Sequence, residues 1–272
     1  MTKTKSLNTT DLVVLKEAKK KMEQIGWAMQ GLNKMGNVIE SKVDLLPRKQ
    51  QDWLQQLSYK VLLGVVKSNL ASMKKGKVHS APRDKTYKAL VTSSGLLGGA
   101  LGASAFAVDL TFATKLMMRS IMDIARSEGE DLTELDTQLA CLQVFALGGK
   151  SKHDDGLDTG YYASRIALGS AVKGGTKALG NLLSGSANPI LKFLASVAAR
   201  FSVQVSEKFV AQAIPVLGAA GGASINLAFI HHFQNMAHAH FAIRSLERTY
   251  GEETVREAYE GLNMETEGSN NK

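Results

Sequence analysis

The sequence predicts an all-α protein, a multi-helix bundle in which Gly/Ala-rich central helices pack closely. Only four of the 272 residues are proline, and helix-favouring Ala, Leu, Met and Lys are abundant. Apolar residues recur at spacings of three, four and seven, which is the helical period. No segment alternates apolar and polar residues for long enough to indicate a β-sheet.

The first 88 residues predict amphipathic helices. Residues 11–38 place their apolar side chains on one face, and the lysines lie mostly away from it. The candidate N-caps are Thr9, Thr10 and Asp11. Because the residue before a proline resists helix, Pro47 separates this segment from a second helix that runs to the glycine at position 76. The second helix has an apolar face of Trp53, Leu54, Leu57, Val61 and Val65.

Positive charge is concentrated in this N-terminal part. Residues 1–88 contain 18 Lys/Arg and seven Asp/Glu, a net charge of +11, whereas the remainder of the chain carries −3. Such a surface favours anionic partners, or it serves only to keep the protein in solution. Anionic membrane lipids are the expected partner, and nucleic acid is not, because no recognised reading motif is present. The predicted lipid-binding residues are Lys16, Lys19, Lys20 and Lys21.

Residues 89–262 are predicted to form a Gly/Ala-rich helical core. Helices are expected at about 110–129, 132–147, 161–183, 190–211 and 252–262, and a further helix contains Asn226 and Arg244 and ends at Tyr250. The basic N-terminal helices of residues 1–88 are expected to pack on this core as one structural unit. A disordered polar tail of residues 263–272 follows. The chain start has no apolar stretch behind its charges, so no secretory signal is predicted.

Two uncharged stretches, 89–108 and 209–243, reach the length of about 20 residues that a membrane-spanning helix needs. Their many Gly, Ala, Ser and Thr residues give little transfer energy, and a charged Asp109 at the bilayer centre is costly. A buried core, a re-entrant hairpin and a true span therefore all remain open. We expect closely packed helices that tolerate a bilayer nearby.

Polar residues inside these stretches are the candidates for special roles. Asp109 is expected to cap the following helix or to pair with a buried Lys or Arg, since a buried carboxylate needs a partner. Asn226 is expected to fix helix register through hydrogen bonds. Arg244 lies too far along the same helix to reach Asn226, but it can reach Asp109 or Asp123 from another element.

No catalytic or metal-binding motif stands out. His231 and His238 share a helix face two turns apart, but no carboxylate lies between them, so surface or core histidines are expected. These two with Asp109 are the weak catalytic candidates. Cys141 lies in an apolar helix and is read as an inert core thiol. No metal and no cofactor are predicted.

The chain resembles the EcsC family. The similarity rests on AIPVLGAAGGASINLAFIHHFQNMAHAHFAIRSLERTYG near the C-terminus and on GGALGASAFAVDLTFATKLMMRSIMDIARSEGEDL in the middle. The residues that match the family pattern are Gly99, Gly102, Asp109, Pro215, Gly218, Asn226, Arg244 and Gly251. The resemblance implies membrane association and a link to an ABC transporter. It brings no catalytic residues, although some members carry a hydrolase or peptidase label.

These observations predict a non-catalytic, membrane-associated bacterial protein that binds a lipid surface or handles lipid. Its expected location is the cytoplasmic side, peripheral at the inner face of the membrane, with a membrane transporter as a possible protein partner. A hydrolase or peptidase-like enzyme and a protein-interaction scaffold are the alternatives.

Overall fold

The computed structural model describes residues 6–23, 35–70, 81–98, 102–148, 161–170 and 189–262. Within these ranges the chain forms ten α-helices and no strand, which confirms the predicted all-α bundle. A short 3-10 turn, Val144–Ala146, follows the sixth helix. The α-helices are α1 (Thr9–Met22), α2 (Met35–Asp44), α3 (Arg48–Leu70), α4 (Asp84–Gly98), α5 (Gly102–Ser127), α6 (Leu135–Gln143), α7 (Tyr161–Ser170), α8 (Pro189–Ala213), α9 (Pro215–Tyr250) and α10 (Glu252–Gly261).

Helix α9 forms the centre of the bundle. Its 36 residues correspond to a length of about 54 Å. Helices α1, α4, α5, α8 and α10 all pack against it. No charged residue occurs in it before Arg244, so most of its length is buried without unpaired charge. Its phenylalanines Phe229, Phe233 and Phe241 are fully buried.

A second layer packs around α8, which contacts α2 and α3 as well as α9. Phe201 of α8 meets Phe145 with ring centroids 5.1 Å apart, and Phe145 lies 5.2 Å from Phe233 of α9. Such edge and tilted contacts are the preferred arrangement of aromatic rings. Gly251, at a φ of 91°, lets the chain reverse so that α10 buries Val255 and Tyr259 against the bundle.

The N-terminal helices differ from the prediction in detail. Asn8 caps α1, because its side-chain oxygen accepts the Asp11 backbone N–H at 2.8 Å. Thr9 and Thr10 are instead the first helical residues, so the three predicted caps were wrong by one position or more. Helix α1 ends at Met22, and the rest of the predicted helix up to residue 34 lies outside the described residues. The predicted helix end near residue 76 also lies outside them.

The uncharged stretch 89–108 is divided between α4 and α5. Since α5 starts at Gly102, Asp109 lies in the middle of a helix, and the prediction that it caps one was wrong. Helix α6 is shorter than the predicted 132–147 because it tightens into the 3-10 turn at Val144. Gly99, residues 171–183 and the tail 263–272 fall outside the described residues. Among the helices that are described, none has the length and apolar character needed to cross a bilayer.

Candidate functional site

A buried ion pair and the amide that binds it connect four helices of the bundle. The Lys208 ammonium of α8 donates to Asp109 Oδ2 of α5 at 2.8 Å, and the two side chains are 0% and 2% exposed. Asn226 of α9 donates to Asp109 Oδ1 at 2.9 Å and to the Val91 carbonyl of α4 at 3.0 Å. We call Asp109, Lys208 and Asn226 the polar junction. It realises the pairing expected for Asp109 and the hydrogen-bonding role expected for Asn226.

The polar junction is electrically balanced. Burial acts to raise the pKa of Asp109, but the charge and hydrogen bond of Lys208 together with Asn226 hold it below its usual value. The Lys208 ammonium also lies 5.0 Å from the centroid of the Phe229 ring, a favourable cation–π position. A charge-neutral pair enclosed by apolar side chains fixes the register of the helices and has no exposed reactive atom.

The structure does not bring the predicted catalytic residues together. Asp109 is bonded to Asn226, and His238 lies 12 residues further along α9, about 18 Å away along the axis. His238 instead pairs with Asp84 at 2.7 Å. His231 is an exposed residue whose Nδ1 lies 3.0 Å from Lys88 Nζ. The catalytic pairing of Asp109 with either histidine is therefore not supported.

Arg244 has a different partner from the two that were considered. It donates through Nε to Glu130 Oε1 at 2.8 Å and through a terminal nitrogen to Asp136 at 2.7 Å, not to Asp109 or Asp123. Burial of Glu130 opposes its ionisation, but hydrogen bonds and charge from Arg244 lower its pKa. This cluster ties α9 to the turn between α5 and α6 and is structural.

Hydrogen bonds at two levels along α9 show that α4, α5 and α9 share one uncharged end. Gln234 binds the Asp84 carbonyl and the Ser120 hydroxyl, while Asn226 binds Val91 and Asp109. Helix α4 is thus antiparallel to α9, and α5 is parallel to it. The Gly98 end of α4 and the Gly102 start of α5 lie about 10 Å beyond the polar junction, and the Pro215 start of α9 about 16 Å beyond it. No residue in these three terminal segments is charged.

Apolar side chains are exposed around the polar junction. Val108 is 71% exposed, Phe112 47%, Leu90 44% and Leu227 43%. Each of Leu90, Val108 and Leu227 is adjacent in sequence to a residue that takes part in the junction or binds it. We call these four residues the apolar collar. Large apolar side chains exposed at one level of a bundle are candidates for an interaction surface.

An aromatic cluster borders the uncharged end where α3 begins. The half-buried Trp53 lies with its ring centroid 5.8 Å from Phe209 and 6.2 Å from Phe106. Arg48 and Lys49, both exposed, precede it, and Asp52 is the exposed acidic residue beside it. A tryptophan with basic neighbours suits a boundary between apolar and aqueous surroundings.

Basic side chains lie on the other side of the polar junction. Lys88 of α4 is ten residues from Gly98, about 15 Å, and Lys115 of α5 is 13 residues from Gly102, about 20 Å. On α1, Lys16 and Lys20 are exposed and Lys21 is half-buried. Since α1 packs on α9, these lysines add to the positive charge on this part of the surface.

Lys19 does not belong to that basic surface. It is 8% exposed, and its ammonium donates to the carbonyl of Tyr259 at 2.8 Å and to that of Leu262 at 2.7 Å. Carbonyls at the end of a helix lack partners within the helix, and the cation satisfies those of α10. The lipid-binding role predicted for Lys19 therefore does not fit its position.

The remaining predicted residues have structural positions. Gly102 and Pro215 are the first residues of α5 and α9, Gly218 lies within the first turn of α9, and Gly251 forms the reversal before α10. Cys141 is buried, and burial strongly raises the pKa of its thiol, which keeps it unreactive. In the parts of the chain that the structure describes, no three His, Cys, Asp or Glu side chains form a group able to hold a metal ion.

The roles of Lys208 and of the apolar collar were not predicted from the sequence. A signal for Lys208 was present, because it is the last charged residue before the 35 uncharged residues 209–243 and lies in an apolar helix. A lone lysine there requires a buried acidic partner, and Asp109 has the matching position after the other uncharged stretch. Exposure of Val108 and Phe112 had no comparable signal, since apolar residues are expected inside.

Comparison with known proteins gives one match. The model of the EcsC protein family matches residues 10–246, which is most of the chain and includes the polar junction and the apolar collar. No match was found among curated proteins or among solved structures.

Proposed function

The chain belongs to the EcsC protein family, and we propose that it is a non-catalytic protein that docks peripherally on anionic membrane lipid. The uncharged end and the apolar collar would enter one leaflet, at the inner face of the membrane. The basic side chains of α1, α4 and α5 would contact lipid headgroups.

The spacing between the uncharged end and the first cations carries this proposal. The hydrocarbon core of a bilayer is about 30 Å thick, so one leaflet contributes about 15 Å. Lys88 and Lys115 lie about 15 and 20 Å from the ends of their helices. Helix ends inserted to the depth of one leaflet or less would therefore leave these cations at the level of the headgroups.

The polar junction keeps the charges of Asp109 and Lys208 away from a docked bilayer. Asp109 and Lys208 are the charged residues closest to the uncharged end on α5 and α8, and they neutralise each other away from the surface. A bilayer near this end would meet no exposed charge from either residue. Exposed carboxylates at this depth would cost several kcal/mol.

Vesicle flotation tests the proposal directly. We expect the protein to float with vesicles of phosphatidylserine and phosphatidylcholine at low salt, and to be released at high salt, because screening weakens headgroup contacts. Val108→Asp places a charge in the apolar collar and should abolish flotation, with unfolding free energy changed by no more than about 0.5 kcal/mol.

A matched control comes from the opposite end of the molecule. Ile166 of α7 is 60% exposed and neighbours Arg165, which binds Glu247 near the far end of α9. Ile166→Asp should leave flotation unchanged. The double variant Lys16→Gln with Lys20→Gln tests the headgroup contacts. Each contact contributes about 1 kcal/mol, so the loss of each lysine should weaken vesicle binding about fivefold. Lys192→Gln should leave vesicle binding unchanged. If Val108→Asp and Ile166→Asp float equally well, docking through the collar is wrong, and a protein-binding surface becomes the better interpretation.

A further inference from the structure

Lys88 of α4 and His231 of α9 are in contact with each other, and α1, which carries Lys21, packs on α9. Lys88 Nζ of α4 lies 3.0 Å from Nδ1 of His231 on α9, and Lys21 of α1 is close enough for its charge to act on the same imidazole. Asn235, one turn further along α9, places its amide nitrogen 3.3 Å from His231 Nε2. His231 is exposed, so the cluster is open to solvent.

The cluster holds more hydrogen-bond donors than acceptors. The Lys88 ammonium has three N–H donors, and a neutral imidazole accepts at only one of its two nitrogens. At least one donor in the cluster is therefore left for an acceptor from outside. Among the described residues, no salt bridge joins Lys21 or Lys88 to a carboxylate, and Asp84, one turn before Lys88 on α4, pairs with His238.

Nearby positive charge disfavours the protonated form of His231. Partial burial and the charges of Lys88 and Lys21 lower the pKa of His231. A bound anion would offset those two charges and would hydrogen-bond the donors. The ligand that suits such a cluster is compact, has a charge near −2 and presents several oxygens, which describes a phosphate monoester.

We propose that Lys21, Lys88 and His231, with Asn235, form a binding site for a phosphate monoester group. The site rests on the proposed function in one respect: Lys88 lies at the depth expected for headgroups, so a lipid with a terminal phosphate can reach it. The same chemistry also admits free phosphate or a soluble phosphate ester. The proposal adds a preferred headgroup class to docking that would otherwise respond to charge alone.

Titration of His231 by NMR tests the site without a membrane. Inorganic phosphate added to the full-length protein should raise the pKa of His231, because it neutralises the field of the two lysines, and the shift should saturate. Lys88→Met should remove the response. Lys85→Met, an exposed lysine three residues earlier on α4, should preserve it. Circular dichroism checks that both variants are folded, and His231→Gln, followed by calorimetry, provides a second variant at an exposed position.

The result that overturns the site is an unchanged pKa of His231, or an equal loss of the response in the Lys85 and Lys88 variants. A second experiment distinguishes a lipid with a terminal phosphate from a soluble phosphate ligand. Vesicles with phosphatidic acid should bind more tightly than phosphatidylserine vesicles of equal surface charge, and Lys88→Met should abolish the difference. Saturable phosphate binding without this preference supports the site with a soluble ligand.

Failure of the site and failure of membrane docking remain distinguishable. Val108→Asp should eliminate flotation and leave the phosphate response of His231 intact, because Val108 lies on α5 and the cluster is built from α1, α4 and α9.

Discussion

Replacing Lys208 with methionine should destabilise the protein by about 3–5 kcal/mol at neutral pH. Methionine fills most of the same space but leaves the Asp109 carboxylate buried without its cation, and breaking a buried ion pair from one side has a cost of this size. The structure supports the full effect, since the Asp109 side chain is only 2% exposed and its ammonium partner lies at 2.8 Å. The amides of Asn226 and Gln212 donate to the same carboxylate at 2.9 and 3.4 Å, but neither of them carries a charge.

The effect of this substitution should depend on pH. In the wild type the pKa of Asp109 is below its usual value, so the pair stabilises the fold above that usual value and the contribution is lost as the pH falls. Without Lys208, burial would raise the pKa of Asp109 instead, and acid would then relieve the uncompensated charge. The difference in stability between variant and wild type should therefore shrink from about pH 7 toward about pH 4.

Urea unfolding followed by far-UV circular dichroism measures both effects, provided that the slope m is unchanged. A thermal scan should show a fall of about 2–4 °C for each kcal/mol. Lys192→Met, at an exposed position near the start of α8, is the control and should cost no more than about 0.5 kcal/mol. The double variant Lys208→Met with Asp109→Leu should recover to within about 1 kcal/mol of the wild type. A loss below about 1 kcal/mol for the single variant, or a double variant as unstable as the sum of both single ones, would refute the reasoning.

Three further predictions concern stability. Gly148→Ala should cost about 1–3 kcal/mol in urea unfolding, because Gly148 has a φ of 73° and a Cβ there would clash with Met236 Sδ. Gly64→Ala, with open space around it, should instead stabilise by up to about 1 kcal/mol. Burial lowers the pKa of His232 from its usual value of 6.5 to about 4. The free energy of unfolding should therefore fall by about 3 kcal/mol as the pH is lowered from 6.5 to about 4. His232→Leu should flatten this dependence on pH. Burial raises the pKa of Glu207 from 4.5 to about 8, so the free energy of unfolding falls as the pH rises between these two values. Glu207→Gln should stabilise the protein by on the order of 2–4 kcal/mol at about pH 9 and have little effect at about pH 5.

Most helices could be predicted from the sequence, because their signals are local. Helix α8 was expected at 190–211 and spans Pro189–Ala213, and α10 was expected at 252–262 and spans Glu252–Gly261. Pro215 marks the start of α9, since proline suits the first turn of a helix. The start of α5 was missed because a Gly/Ala-rich segment has no apolar face that distinguishes helix from loop.

Partners within the candidate site could not be predicted, because they are far apart in the chain. Asp109 and Lys208 are separated by 99 residues, and Lys19 and Tyr259 by 240. Sequence spacing shows that a buried carboxylate needs a cation, but not which of the basic residues will supply it. The same limit explains Lys19, which sits among three lysines that remain on the surface and yet reaches the end of α10.

The position of α9 has a consequence for how the protein is made. Ribosomes deliver the chain from the N-terminus, and the helix that covers the apolar faces of α1, α4, α5 and α8 is the last long one to emerge. Until it emerges, those faces have no permanent cover, and such nascent chains are the usual clients of chaperones. Because Lys19 of α1 donates to the carbonyls of Tyr259 and Leu262, a helix synthesised well before α9 and α10 gains these contacts only after both have emerged.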